Sequence, residues 1–127
     1  MPLKSFKDLD VWRLSMDFAK EVYAITDELP KQERYGLASQ LQRAAVSIPS
    51  NIAEGSKRTS RVEFSQYCRI ALGSAAETET QLLLVSELYS NIAVTHALEQ
   101  VERIQKMLTS LVNSLSKPIN STSKKIN

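Results

Sequence analysis

Apolar residues recur every three or four positions through four long segments of this chain, and no other feature constrains its fold as strongly. A period near 3.6 residues places such side chains on one face of an α-helix, whereas a half-buried strand alternates every second residue. The chain has only three glycines and four prolines among 127 residues, so long stretches contain no turn signal, as is typical of helical proteins. We therefore predict an all-α fold.

The periodic segments cover about residues 9–28, 30–54, 60–89 and 95–115. Short breaks separate them, and an antiparallel up-down-up-down four-helix bundle is the economical way to bury their apolar faces. We assign residues 1–116 to this bundle. Residues 117–127, "KPINSTSKKIN", are polar, and we expect a disordered C-terminal tail.

Several residues at the breaks are typical of helix ends. Pro30 suits the first turn of the second helix, because its missing N–H is not needed there. Gly55 is a plausible left-handed C-cap. Ser60 and Glu63 have the spacing of a capping box at the start of the third helix, and Thr95 can cap the fourth.

The first helix carries two apolar stripes rather than one. A bundle helix needs a single stripe somewhat wider than 100°, so the second stripe indicates either a wide core face or a surface that contacts another subunit. The first stripe consists of Leu9, Trp12, Met16, Ala19 and Tyr23, and the second of Val11, Phe18, Val22, Ile25 and Leu29.

Pro49 falls in the middle of the second helix, where a proline costs about 3 kcal/mol or more. One interpretation ends the helix at Ile48. However, Ile52 stays in phase with the apolar residues before the proline, as a continuous helix requires. We therefore predict a continuous helix with a kink near Pro49.

A polar stripe follows the same helix, about 110° from its apolar stripe, with small and amide side chains where solvated helices usually carry Lys and Glu. It is either a solvated face or one side of a partly buried network that sets the register between the second and third helices. The residues of the predicted network are Arg43, Asn51, Glu54, Glu77 and Gln81.

Four stretches of the chain, "FKDLDVW", "LPKQERYGLASQLQRAAVSIPSNIAEGSKR", "EFSQYCRIALGSAAETETQL" and "LVSEL", resemble the bacterial four-helix-bundle family of rRNA intervening-sequence proteins. That family is related to the accessory variability determinant of diversity-generating retroelements. The resemblance extends over about residues 6–115. It implies an up-down bundle assembled into a ring-like homopentamer. For the retroelement relatives, it also implies binding to nucleic acid and to a reverse transcriptase.

The chain has few residues suited to catalysis or cofactor binding. The only histidine, His96, has Ala93 three positions before it, which excludes the Glu-x-x-His motif of a di-iron bundle. Cys68 lies on an apolar stripe with no histidine placed to activate it, and no glycine-rich phosphate loop is present. We predict a non-enzymatic protein with no cofactor and no metal site.

The basic residues indicate where a partner could bind. Between residues 57 and 69, Lys57, Arg58, Arg61 and Arg69 outnumber the single acidic residue Glu63. We expect no stacking on bases from this segment, so any contact would be made mainly to phosphate, without sequence readout. The alternative is a solvated loop whose charges aid solubility.

Two functional hypotheses follow, both for a homo-oligomer. In the first, basic loops bind the backbone of RNA or DNA. In the second, the assembly is a scaffold for another protein and contacts no nucleic acid. The net charge of +2 does not require a nucleic-acid partner. No apolar run approaches the about 18 to 20 residues that span a membrane, and the single cysteine forms no internal disulfide, so we expect a cytoplasmic protein.

Overall fold

The computed structural model describes residues 5–117, and four α-helices account for most of them: α1 (Asp10–Asp27), α2 (Leu37–Ser56), α3 (Arg61–Leu88) and α4 (Thr95–Ser116). Each helix packs against its neighbour in the chain, and α1 also packs against α4. In the described part of the chain, no Cα atoms of the two diagonal pairs, α1 with α3 and α2 with α4, lie within 8 Å of each other. This is the predicted four-helix bundle. The predicted tail lies outside the described residues except for Lys117.

The core forms where the predicted stripes meet along the bundle axis. Phe18 of α1 and Ile48 of α2 are fully buried, as are Leu82 of α3 and Leu108 of α4. All five residues of the second stripe of α1 belong to this core. The 3.6-residue period therefore located the inward face of every helix.

Helix α2 runs without a break through Pro49, which is buried. The predicted continuity is confirmed, and the kink at this position stays a prediction. The start of α2 differs from our expectation. Residues Lys31–Glu33 after Pro30 form a short 3-10 turn, and α2 begins only at Leu37. Glu33 explains the delay: its carboxylate accepts a hydrogen bond from the Leu37 N–H (3.4 Å) and another from the Tyr89 hydroxyl at the end of α3.

The helix ends follow the predicted signals only in part. The Ser60 hydroxyl accepts from the Glu63 N–H at 3.0 Å and so caps α3 as expected. Thr95 is the first residue of α4, and Val94 occupies the cap position, so the predicted Thr95 cap is wrong.

The left-handed cap at Gly55 is also wrong, because α2 continues to Ser56 with Gly55 buried inside it. A Cβ at Gly55 would lie 2.6 Å from the Tyr67 Cβ and 3.0 Å from the Phe64 Cδ1. This glycine therefore serves the close approach of α3 to α2 and not a turn.

Candidate functional site

The predicted basic residues lie at the end of the bundle where α1 begins, α2 passes into α3 and α4 ends. We call residues 5–13, 54–69 and 114–117 the basic end. Lys57, Arg58, Arg61 and Arg69 are all exposed there. Their side chains do not form one cluster, because each has different neighbours.

Arg58 is held in a cluster with two other side chains. Its guanidinium donates to the Glu54 carboxylate at 2.9 Å and to the Tyr67 hydroxyl, and the Tyr67 hydroxyl donates to the same carboxylate at 3.1 Å. The pKa of Arg58 is raised, most by the Tyr67 phenol and less by the Glu54 carboxylate. The charge of Arg58 is thus partly neutralised by Glu54, and part of its donor capacity is already used.

Arg61 is tied to the end of α4. Its guanidinium donates to the Ser114 carbonyl at 2.7 Å and more weakly to the Lys117 carbonyl at 3.5 Å. The Ser114 carbonyl lies in the last turn of α4, where carbonyls lack their usual helical partners, and it otherwise accepts only a long bond from the Lys117 N–H (3.4 Å). Arg61 therefore joins α3 to α4 and caps α4, a structural task that its position in a basic loop did not indicate.

Lys57 and Arg69 differ from the other two in their surroundings. The Lys57 ammonium lies over the Phe6 ring at 5.7 Å from its centroid, and neither side chain forms an ion pair with another described residue. Arg69 lines an open depression of about 790 Å³ between the first turns of α3 and the last turn of α4, which Ser65 and Lys117 also line. Of the four side chains, these two donate no hydrogen bond to another described residue.

Charge is distributed unevenly along the bundle axis. By sequence position, the basic end carries Lys7, Arg13, Lys57, Arg58, Arg61, Arg69 and Lys117 against Asp8, Asp10, Glu54 and Glu63. The opposite end, residues 27–36 and 84–99, carries Asp27, Glu28, Glu33, Glu87 and Glu99 against Lys31 and Arg34. One end is therefore net positive and the other net negative, although the whole chain carries only +2.

The predicted polar network does not form one cluster. Asn51 donates to the carbonyl and hydroxyl of Ser47 (2.8 and 2.9 Å), and the Ser47 hydroxyl pairs with that of Ser74 on α3 (2.8 Å). Glu54 belongs to the cluster with Arg58 and is exposed.

The remaining three residues of that set lie further along the bundle. The Gln81 amide donates weakly to Glu77 (3.4 Å) and to Gln40 of α2 (3.5 Å). Its own carbonyl oxygen is buried and has no partner among the described residues. Arg43 is exposed and takes part in none of these bonds.

A groove runs along the outside of α1 and α2, with a volume of about 580 Å³. Most of the first apolar stripe of α1 lines it, and Tyr23 and Met16 are 48% and 37% exposed. Packing against α4 and α2 thus buries the whole second stripe of α1, whereas the first stripe is partly buried at Leu9, Trp12 and Ala19 and exposed at Met16 and Tyr23. The apolar residues of this α1–α2 groove are Phe6, Trp12, Met16, Ala19, Tyr23, Val46, Pro49 and Ala53.

Cys68 does not form a reactive site. It is fully buried in the core, and burial raises the pKa of its thiol to about 11. Among the described residues, no group of His, Cys, Asp and Glu is arranged to hold a metal ion. Within residues 5–117, no helix is both long and apolar enough to span a bilayer.

Comparison with known families matches residues 7–110 to the family described as "23S rRNA-intervening sequence protein". This match covers most of the chain. The chain belongs to this family. The resemblance in the sequence pointed to the same family, and its relation to the retroelement proteins stays a prediction.

A solved structure supports the fold. The chain is similar to a protein from Bacteroides thetaiotaomicron that is described as having unknown function and as belonging to the S23 ribosomal protein family. The two are 27% identical, the match covers 81% of this chain and 95% of that one, and the TM-score is 0.73. No curated protein matches the chain. Neither description names a catalytic activity, and the function of the family is unknown.

Sequence reasoning missed the partners that come from other helices. The hydroxyls of Tyr67 and Tyr89 each donate a hydrogen bond to a carboxylate 13 or more positions away, and Ser74 shares one with Ser47, 27 positions away. The apolar stripes indicated which face of each helix points inward but not the height at which each side chain meets the next helix. A polar residue on the flank of an apolar stripe was the only available signal, and Tyr67 occupies such a position.

Proposed function

We propose that this protein is a non-enzymatic homo-oligomer, a pentamer by its sequence resemblance, whose basic end binds the phosphate backbone of RNA or DNA. The uneven distribution of charge along the bundle carries this proposal. In a closed ring all copies point the same way, so one basic end per copy repeats around a single rim. Several weak sites on one rim bind one polyanion far more tightly than a single site does.

Lys57 and Arg69 are the residues we assign to phosphate. Both are exposed, and neither is paired with an acidic side chain in the described part of the chain. Arg58 and Arg61 contribute charge to the same rim, but their guanidinium groups already donate to Glu54 and to the end of α4. Contacts to phosphate carry no sequence information, so the binding is expected to be indifferent to sequence and steeply dependent on salt.

Fluorescence anisotropy with a labelled RNA hairpin and a labelled DNA duplex tests the proposal. We expect log K to fall with log salt concentration by about 0.9 for each phosphate contact on duplex DNA. The Lys57→Glu, Arg69→Glu variant should lose at least about tenfold in affinity at low salt, because two contacts per copy are lost. The matched control is Lys31→Glu, Arg34→Glu, which makes the same charge change at the acidic end, again at two exposed residues.

An equal loss in both variants would assign the effect to total charge and contradict the proposed site. Absence of binding by the unmodified protein at low salt would reject nucleic acid as the partner. A protein-interaction scaffold is the second candidate function, and the uncovered α1–α2 groove favours it, since contiguous exposed apolar surface marks sites of protein contact.

A further inference from the structure

The depression at the basic end, between the first turns of α3 and the end of α4, has the lining of an anion site. It has a volume of about 790 Å³. Three of the residues that border it, Arg61, Arg69 and Lys117, are cations, and none of the described residues that border it is acidic. Positive charge without a compensating carboxylate therefore surrounds one concave surface.

Ser65 lies in the wall of this depression with its hydroxyl unused. Only 7% of its surface is exposed, yet its side chain forms no hydrogen bond with another described residue. Serine and threonine hydroxyls inside a helix can donate to the carbonyl one turn back, as those of Ser15 and Thr78 do in this chain. A buried donor without a partner costs free energy, and an acceptor that enters the depression would supply the missing bond.

The start of α3 adds backbone donors beside this hydroxyl. The Ser60 side chain accepts from the Glu63 N–H, and the Ser60 carbonyl accepts from the Phe64 N–H. The N–H groups of Arg61 and Val62 donate to no other described residue, as is usual in the first turn of a helix. The positive end of the dipole of α3 lies at the same place, and it favours a bound anion.

We propose that this depression binds the terminal phosphate of a nucleic acid, so that the basic end recognises chain ends. This inference rests on the proposed function and specifies which part of the nucleic acid the site takes. Arg69 follows Ser65 by four positions, and residues with this spacing share one face of a helix with about 5–6 Å between their Cβ atoms. One phosphate group can therefore accept hydrogen bonds from the Ser65 hydroxyl and the Arg69 guanidinium together.

The depth of the Ser65 hydroxyl favours a terminal phosphate over one inside the nucleic-acid chain. An internal phosphate is a diester with a sugar on either side, and both sugars would have to approach the wall of the depression with it. A terminal phosphate is a monoester with a sugar on one side only, three free oxygens and a charge of about −1.5 to −2 at neutral pH. It therefore reaches a recessed donor more easily, and it gains more from three neighbouring cations.

Fluorescence anisotropy with one short single-stranded oligonucleotide, labelled at an internal base, tests the proposal. The oligonucleotide is prepared with a 5′-phosphate, with a 3′-phosphate and with hydroxyls at both ends. We expect the unmodified protein to bind a phosphorylated form at least about tenfold more tightly than the hydroxyl form, which is the gain expected from one hydrogen bond to a charged group. The two phosphorylated forms distinguish which end the site takes.

Ser65→Ala should lose most of this preference, because it removes the recessed donor. The variant changes no charge and breaks no hydrogen bond to another described residue, so the fold should survive, which circular dichroism checks. Ser86→Ala is the matched control, since it removes a hydroxyl near the other end of the same helix, and it should keep the preference. Arg69→Gln should lose the preference and also bind all three forms more weakly.

Three results would overturn the inference. Equal binding of the three forms by the unmodified protein would mean that the depression takes no chain end. A preference that Ser65→Ala retains, or that Ser86→Ala also loses, would assign the effect to something other than this hydroxyl. No binding of any form at low salt would reject the nucleic-acid partner of the proposed function as well, whereas the first two results leave that partner in place.

Discussion

Helix α2 contacts α3 on one side and α1 on the other, and these two sides are built differently. Toward α3, Gly55 lets the backbones approach until the Tyr67 Cβ fills the space of a missing side chain. Hydrogen bonds cross this side from Ser47 to Ser74 (2.8 Å) and from Tyr67 to Glu54 (3.1 Å). Toward α1, a single side-chain bond crosses between described residues, from Gln42 to Thr26 (2.9 Å), and the groove opens on this side.

Small residues occur on both sides, so they do not by themselves explain the difference. Gly55 is covered because the facing residues of α3 reach it, whereas Ser50 and Ala53 border open space because α1 turns only part of its apolar surface toward the core. Within one copy, α3 covers one side of α2, which we call the finished side. The side toward α1 is left partly uncovered, and we call it the unfinished side. Side chains on the finished side should respond to substitution as core residues do, and those on the unfinished side should respond only when copies associate.

The largest expected effect concerns Cys68, which lies in the core on the finished side. We expect a disulfide reagent at about pH 8 to label this thiol at least about 1,000-fold more slowly than an unfolded control, because exposure requires global unfolding with a free energy of 5 kcal/mol or more. Absorbance measures the labelling rate. Rapid labelling of the folded protein would mean that α3 opens locally, and the two sides of α2 would then no longer differ in stability.

The same thiol makes a pH prediction. Burial raises its pKa from 9.0 to about 11, so between these values the folded state binds more protons than the unfolded state. Stability conferred by this group is therefore complete below about pH 9 and is lost as the pH rises toward 11. Denaturant melts at about pH 8 and about pH 10 should show this loss, and Cys68→Ala at the same two pH values provides the control.

Gly55→Ala should have the next largest effect. The added methyl group would overlap Tyr67 and Phe64, and such overpacking typically costs about 1–3 kcal/mol of the free energy of unfolding. Gly73→Ala is the matched control, because the same substitution in open space should stabilise α3 by about 0.5–1 kcal/mol. Denaturant melts of both variants measure the two effects. Effects of the same sign in both variants would contradict the close approach at Gly55.

The smallest effect is expected for Glu54→Ala. The side chains of Glu54 and Arg58 are 56% and 41% exposed, so water screens their pairing. The free energy of unfolding should fall by less than about 1 kcal/mol, as is usual for surface ion pairs. Arg43→Ala, with no bond to another described residue, should change it by less than about 0.5 kcal/mol. A cost of several kcal/mol for either variant in denaturant melts would restore the idea of a buried network along α2.

What could be predicted from the sequence was whatever depends on residues close together in the chain. The spacing of apolar residues identified all four helices and their inward faces, because a helix brings positions three and four apart to the same side whatever surrounds it. The same reasoning gave α1 two stripes, of which the structure buries one. The cap at Ser60 was equally local, since its hydroxyl bonds to an N–H three residues away.

Only the tertiary structure could decide features that depend on a partner from elsewhere in the chain. Gly55 is a contact point and not a cap because Tyr67 lies on the facing helix, and α2 begins late because Glu33 is held by Tyr89. Arg61 is tied to the end of α4, 53 positions away. Periodicity determines the direction in which a side chain points, whereas the height at which it meets another helix depends on packing over the whole core.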